Sequence, residues 1–193
     1  MRVAANEAVM SHAHIVPTNT ASAVKCDLAG EVLRSFGNLR FGATGWSMLP
    51  TVWPGDTLVV ERANPDQVSI GDVVLVGREG RLCAHRVVSR IENCENPQWI
   101  TRGDAMPEPD RPVSESELLG RVAYLIRAGK LVAVPSELSV IERLTATIVG
   151  RSVPAARALV FLHRVARGLE KSGSRKLASE KLAAEESVLP CRG

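Results

Sequence analysis

A series of short apolar runs, cut apart by turn-forming residues, constrains this chain more than any other feature. The runs are Leu39–Ala43, Thr57–Glu61, Val73–Val76, Leu82–Arg90, Gln98–Thr101, Leu118–Ala123 and Leu131–Val134. Many are rich in β-branched residues, which suit a pleated surface better than a helix. Gly55-Asp56, Asn64-Pro65-Asp66, Gly71-Asp72, Arg78-Glu79-Gly80 and Gly129-Lys130 punctuate them as turns. A mainly β domain is expected over residues 38–134. Side chains on a strand alternate between faces, so Cys83, His85 and Val87 should share one face and Ala84, Arg86 and Val88 the other. Cys83 reads as a packing residue.

One stretch of this domain is not a strand. Gly45-Trp46-Ser47-Met48-Leu49-Pro50-Thr51 holds a serine just ahead of a proline. Pro50 fixes its own φ and pushes Leu49 toward extended backbone. Gly45 can take angles that other residues avoid. Such a segment can hold a hydroxyl in one orientation at the rim of a sheet. A serine is a weak nucleophile until a base assists it. His85, in His85-Arg86-Val87-Val88, offers that base. Asp104 and Asp110, in the stiff loop Arg102-Gly103-Asp104-Ala105-Met106-Pro107-Glu108-Pro109-Asp110, offer carboxylates to orient it. Trp46 and Trp53 flank the serine, either as core or as a wall beside a substrate groove.

The order of these pieces resembles the signal peptidase family of serine proteases. The matching elements are Ser-Met-x-Pro-Thr at Ser47, the Gly-Asp pairs at Gly55-Asp56 and Gly71-Asp72, His-Arg-Val-Val at His85, and Gly-Asp-x5-Asp from Gly103 to Asp110. The main bacterial branch of that family uses a lysine base. His85 stands here instead, so the chain is most similar to the Ser-His branch of archaea, the endoplasmic reticulum and some Gram-positive bacteria. The resemblance implies the β-fold shared by signal peptidases and LexA-type repressors. It implies catalysis by Ser47, His85 and Asp110, with Asp104 supporting the site and Gly45 in the oxyanion loop. It also implies that Asp56 and Asp72 shape turns rather than do chemistry. Relatives of the main bacterial branch carry a hydroxyl donor where Gly45 stands. The substrate would be a leader or signal segment bound in extended form, cut after small side chains. Two other functions stay open: a self-cleaving repressor-type regulator, with Ala29-Gly30 as its bond, and a peptide-binding module without catalysis.

The flanks read differently. Residues 1–21 form an aperiodic tail that includes His12 and His14. Residues 22–37 form an amphipathic helix with Val24, Leu28, Val32 and Phe36 as its apolar stripe, widened by Leu33 and stopped by Gly37-Asn38. Residues 135–171 form a helical extension, starting near Ser136 and divided by Gly150 and Pro154. Residues 172–193 form a flexible tail. Basic Arg157, Arg164 and Lys171 face one side of the extension, so it folds on the domain, on a copy of itself, or flat on an anionic membrane through residues 155–171. The four cysteines lack paired spacing and read as free thiols, with no metal and no cofactor expected. A net charge of +3 does not call for nucleic acid. No apolar run is long enough to span a bilayer, and no secretory leader is visible. A cytoplasmic location is expected, and the oligomeric state is left open.

Overall fold

The computed structural model describes residues 20–92, 97–152, 154–163 and 165. Residues 1–19 of the first expected tail, with His12 and His14, the whole of the second, Cys94 and Cys191, and residues 166–171 of the helical extension lie outside them. The described chain is a mainly antiparallel β structure with helices at each end. Helix α1 (Thr20–Phe36) leads into strands β1 (Asn38–Gly42), β2 (Thr57–Glu61), β3 (Val73–Arg78), β4 (Arg81–Ile91), β5 (Gln98–Arg102), β6 (Leu118–Arg127) and β7 (Lys130–Ala133). Helix α2 (Val140–Arg151) and a last helix, α3 (residues 154–163), follow.

The strands form one sheet in the order β1-β2-β6-β3-β4-β5, with β7 also on β6. The long β6 makes this possible. Its first half pairs with β3, its second half with β7, and β2 runs along its other edge. Strand β3 shows why an unbroken apolar run is still a strand. Val73 and Leu75 enter one core cluster with Leu33, Met48, Val52, Leu58, Val60, Val122 and Leu125. Val74 and Val76 enter a second with Val68, Val87, Trp99, Val113 and Leu118. Both faces of β3 are buried, so neither needs polar residues. Each such side chain removed from water contributes about 1.5–3 kcal/mol.

The β3–β4 hairpin turns on Glu79 and Gly80, at φ 50° and 73°. Two successive positive φ values give a turn whose twist suits antiparallel strands. The β6–β7 hairpin does the same with Ala128 at φ 51° and Gly129 at 78°. The turn therefore lies one residue earlier than expected, and Lys130 already belongs to β7. Alanine is a poor marker for a left-handed position, which hid it.

Helix α1 forms where expected but turns a different face inward. Ala29 and Leu33 are buried, with Cys26 half-buried beside them, while Val24, Leu28 and Phe36 are exposed. Leu33, at the side of the expected stripe, is the helix residue that enters the core cluster. Gly30 faces Leu119 and Gly77 of β3 faces Cys26, each at a distance where an added Cβ would make ordinary contact. Gly37, at φ 75°, ends the helix, and its N–H reaches the Leu33 carbonyl at 3.0 Å.

Helix α2 starts at Val140, later than Ser136. The Ser139 side chain accepts from the Glu142 N–H, and the Glu142 carboxylate accepts from the Ser139 N–H at 2.8 Å. This reciprocal cap fixes the first turn. Upstream, the Pro135 and Ser136 carbonyls are occupied by Arg86 of β4, which ties that stretch to the sheet.

A second arginine fastens the far end of the sheet. Arg78 Nε and Nη2 donate to Glu117 at 2.6 and 2.8 Å, and its guanidinium also meets the Arg111 and Pro112 carbonyls. Chiefly through the Arg78 hydrogen bond, and despite partial burial, the Glu117 carboxyl is lowered from 4.5 to about 2. A lowered folded-state value stabilises the fold above the unfolded value and is lost as pH falls through the folded one. We expect Glu117→Gln to cost about 1 kcal/mol at pH 7, the scale of a partly exposed charged pair. Urea melts at a series of pH values should show the gap to wild type closing between pH 4.5 and about 2.

Candidate active site

The serine loop leaves β1 at Ala43 and returns to β2 at Asp56. It is closed at its neck by Ala43 N–H to the Asp56 carbonyl and Gly55 N–H to the Ala43 carbonyl, both 2.8 Å. Asp56 is buried and holds the loop from within. Its carboxylate accepts the Trp53 N–H at 2.8 Å and Arg127 Nη2 at 2.7 Å. Arg127 also donates to the Thr51 carbonyl at 2.8 Å. Asp56 is thus a structural residue of the loop. Inside it, the Met48 carbonyl accepts the Val52 N–H, the Trp46 carbonyl accepts the Leu49 N–H, and the Leu49–Pro50 bond is cis.

The three expected side chains meet. Ser47 Oγ lies 3.1 Å from His85 Nε2. His85 Nδ1 lies 2.6 Å from Asp110 Oδ2, which also accepts the Thr101 hydroxyl at 2.7 Å. The aspartate loop is registered on β5 by Asp110 N–H to the Thr101 carbonyl at 2.8 Å. Burial pushes the Asp110 carboxyl up, but hydrogen bonds from His85 and Thr101 and the charges of His85 and Arg78 outweigh it. The group stays below its ordinary range. Asp110 is therefore an anionic acceptor at neutral pH. That favours the tautomer with the proton on Nδ1 and leaves the Nε2 lone pair toward the serine. Among the described residues, no three His, Cys, Asp or Glu side chains converge as a metal site would require.

Adjacent positions on β4 point to opposite faces. His85 reaches Ser47 and Asp110, whereas Arg86 reaches Thr51 and Asp104 in the two loops that carry those residues. Its Nε and Nη2 hold the two oxygens of Asp104 at 2.8 Å each. Its Nη1 donates to the Gly71 carbonyl at 2.8 Å and to the Pro135 carbonyl. Thr51 of the serine loop donates its hydroxyl to the same Asp104 carboxylate. Asp104 is thus held by Arg86 and Thr51, while Thr101 holds Asp110. Arg86 stands in the His85-Arg86-Val87-Val88 motif with no task evident from the sequence. Its place directly after the histidine was the available signal.

The two loops also touch through backbone. Ala105 N–H donates to the Ser47 carbonyl at 2.8 Å. A Cβ on Gly103 would stand 2.6 Å from that carbonyl oxygen and 3.1 Å from the Ser47 Cβ, so only glycine fits. Gly45 differs. A Cβ there would meet nothing within 4 Å, and its φ is not positive. Cys83, on the His85 face, packs against the second core cluster. Burial, then the Asp110 charge, pushes its thiol up to about 11, so it remains a neutral packing group.

Trp46 and Trp53 are packing residues. With Leu49 and Ala105 they form a third cluster against Val149 of α2 and Ala156, Leu159 and Val160 of α3. Trp53 stacks on His163 with centroids 4.0 Å apart. The helical extension is folded onto both loops.

No protein-family model matches the chain, and no curated protein is similar to it.

Because Arg86 and Asp104 are both nearly sealed from water, with side chains 9% and 3% exposed, removing one strands the other. We expect Arg86→Met to cost about 3–5 kcal/mol in urea unfolding. Adding Asp104→Leu to it should restore part of that loss.

Proposed function

We propose that the protein is a serine endopeptidase of the signal-peptidase type, with the β-fold that signal peptidases share with LexA-type repressors. The observation that carries this reading is the continuous chain Ser47 Oγ, His85 Nε2, His85 Nδ1, Asp110 Oδ2, with links of 3.1 and 2.6 Å. Its members come from a turn, a strand and a loop that share no local reason to converge. Ser47 attacks a peptide carbonyl while His85 takes the hydroxyl proton. His85 then gives that proton to the leaving amine, and water repeats the sequence on the acyl-enzyme. Asp110 holds the ring orientation and balances the imidazolium. Thr101, bonded to the same oxygen, holds Asp110.

Strand β1 supplies a place for the substrate. Its register with β2 pairs Leu39 with Val60 and Phe41 with Leu58. At the same parity as these residues, the Gly37 carbonyl accepts the Arg62 N–H and Ala43 bonds Asp56 and Gly55, all on the β2 side. Alternation then turns the amide groups of Arg40 and Gly42 to the other edge. That edge has no strand beside it among the described residues, and it runs straight into the serine loop. An extended peptide adding there would gain backbone hydrogen bonds and arrive at Ser47. The self-cleavage reading is less favoured. Ala29 and Gly30 are both buried in the middle of α1, so the bond between them is helical rather than extended.

A serine-directed phosphonate probe tests the chemistry. Mass mapping should find the adduct on Ser47 of the wild type. His85→Ala should slow labelling about 10³-fold or more, the scale of losing a triad base. Labelling at equal rate in His85→Ala would remove the peptidase reading.

Gly45 marks a vacancy in the machinery. The backbone N–H of Ser47 would be one oxyanion donor, and Gly45 has no hydroxyl to be a second. The open space at its α-carbon admits one. We expect Gly45→Ser to raise kcat on a peptide ester by about tenfold or more, since one such donor is worth roughly 10²–10³ where it is native. An unchanged kcat would mean that another donor already serves.

A further inference from the structure

The inward faces of α2 and α3 are accounted for by the two loops. Ala146, Val149 and Ala156 are buried there. Gly150 is so close that an added Cβ would lie 2.2 Å from the Ala105 carbonyl oxygen. The outward faces are not polar, as those of a helix pair that ends at water would be. Ile141, Leu144 and Ile148 follow one another along α2 at spacings of three and four. Phe161 and Leu162 stand on α3. All five are 62–77% exposed. Single exposed apolar residues are ordinary, but a run of large ones on two adjoining helices marks a contact surface.

Charge selects the partner. Residues 140–163 hold three arginines, Arg143, Arg151 and Arg157, and one carboxylate, Glu142. All three arginines are exposed. Glu142 is engaged at the cap by Ser139, which holds its carboxyl below the ordinary range. Arg143 approaches Glu137, just outside the helix, only at 4.0 Å. The two helices thus expose large apolar residues together with three guanidinium groups. A second copy meeting it about a two-fold axis would set arginines against one another. A bilayer offers the complement of both parts, acyl chains for the apolar residues and anionic headgroups for the guanidinium groups.

We propose that the outer surface of α2 and α3 is a peripheral docking face for an anionic membrane. This extends the peptidase reading by naming where the enzyme works, but it rests on different residues. Ser47→Ala should bind membranes as the wild type does, so either idea can fail alone.

The test is cosedimentation of the full chain with vesicles of phosphatidylcholine alone or mixed with phosphatidylglycerol. Wild type should pellet with the anionic vesicles, bind neutral ones at least tenfold more weakly, and be released by salt. Leu144→Asp combined with Phe161→Asp should weaken anionic binding about tenfold or more. Both positions are exposed, and an unchanged thermal melt would show that the fold survives. Arg143→Gln with Arg157→Gln should weaken binding without new acidic charge, which separates lost attraction from added repulsion. Wild type left in the supernatant with anionic vesicles would overturn the proposal. So would variants that bind as tightly as wild type, because the contact would then lie elsewhere in the chain. A wild-type dimer in sedimentation equilibrium that the Leu144→Asp, Phe161→Asp variant splits would also overturn it, giving the face to a second copy.

Discussion

One buried guanidinium sets the relation between the two loops on which the site is built. Arg86 grips both oxygens of Asp104 and the carbonyls of Gly71 and Pro135, and Thr51 joins through the shared carboxylate. Those partners belong to the aspartate loop, the turn before β3, the segment ahead of α2, and the serine loop. A planar group with fixed donor directions can hold several chain segments at once in one geometry. A buried ion pair is not in itself a strong source of stability, because its desolvation offsets much of the attraction. Its contribution here is placement. The neighbouring side chain, His85, then finds Ser47 and Asp110 at hydrogen-bond distance.

This division of labour follows from strand geometry. Two consecutive residues on β4 project to opposite faces, so one strand carries the Ser47–His85–Asp110 hydrogen-bond chain on one side and the Arg86 hub on the other. Each loop is held in two ways that do not share atoms. The serine loop has Arg127 with Asp56 at its base and Thr51 on Asp104. The aspartate loop has Thr101 with Asp110 and the backbone contact between Ala105 and Ser47. Such redundancy keeps Ser47 in place although it sits on a turn rather than in a regular element.

Most of this was legible in the residues themselves. Strands could be read because β-branched runs end at glycine and proline, and Val73–Val76 was clear even without alternation. Ser47, His85, Asp104 and Asp110 could be picked out because their order resembles a known pattern and each type has a task that serine chemistry requires. What escaped depends on tertiary contact. Which side of α1 faces the sheet, with Leu33 buried and Leu28 exposed, depends on tertiary packing that no periodicity encodes. The β6–β7 turn was misplaced by one residue because alanine carries a conformation usually left to glycine or asparagine. The start of α2 was set too early because the partner of the Pro135 and Ser136 carbonyls lies far away in the chain. Arg86 had no visible role until its acceptors were assembled around it.

The contact between Gly150 and Ala105 has a mechanical consequence. Where two helices or a helix and a loop meet through side chains, rotamers can absorb small displacements. Here main chain rests on main chain, with no methyl group between as a cushion. Ala105 in turn is bonded to the carbonyl of Ser47. Any tilt of α2 would therefore be transmitted, almost undamped, to the backbone of Ser47.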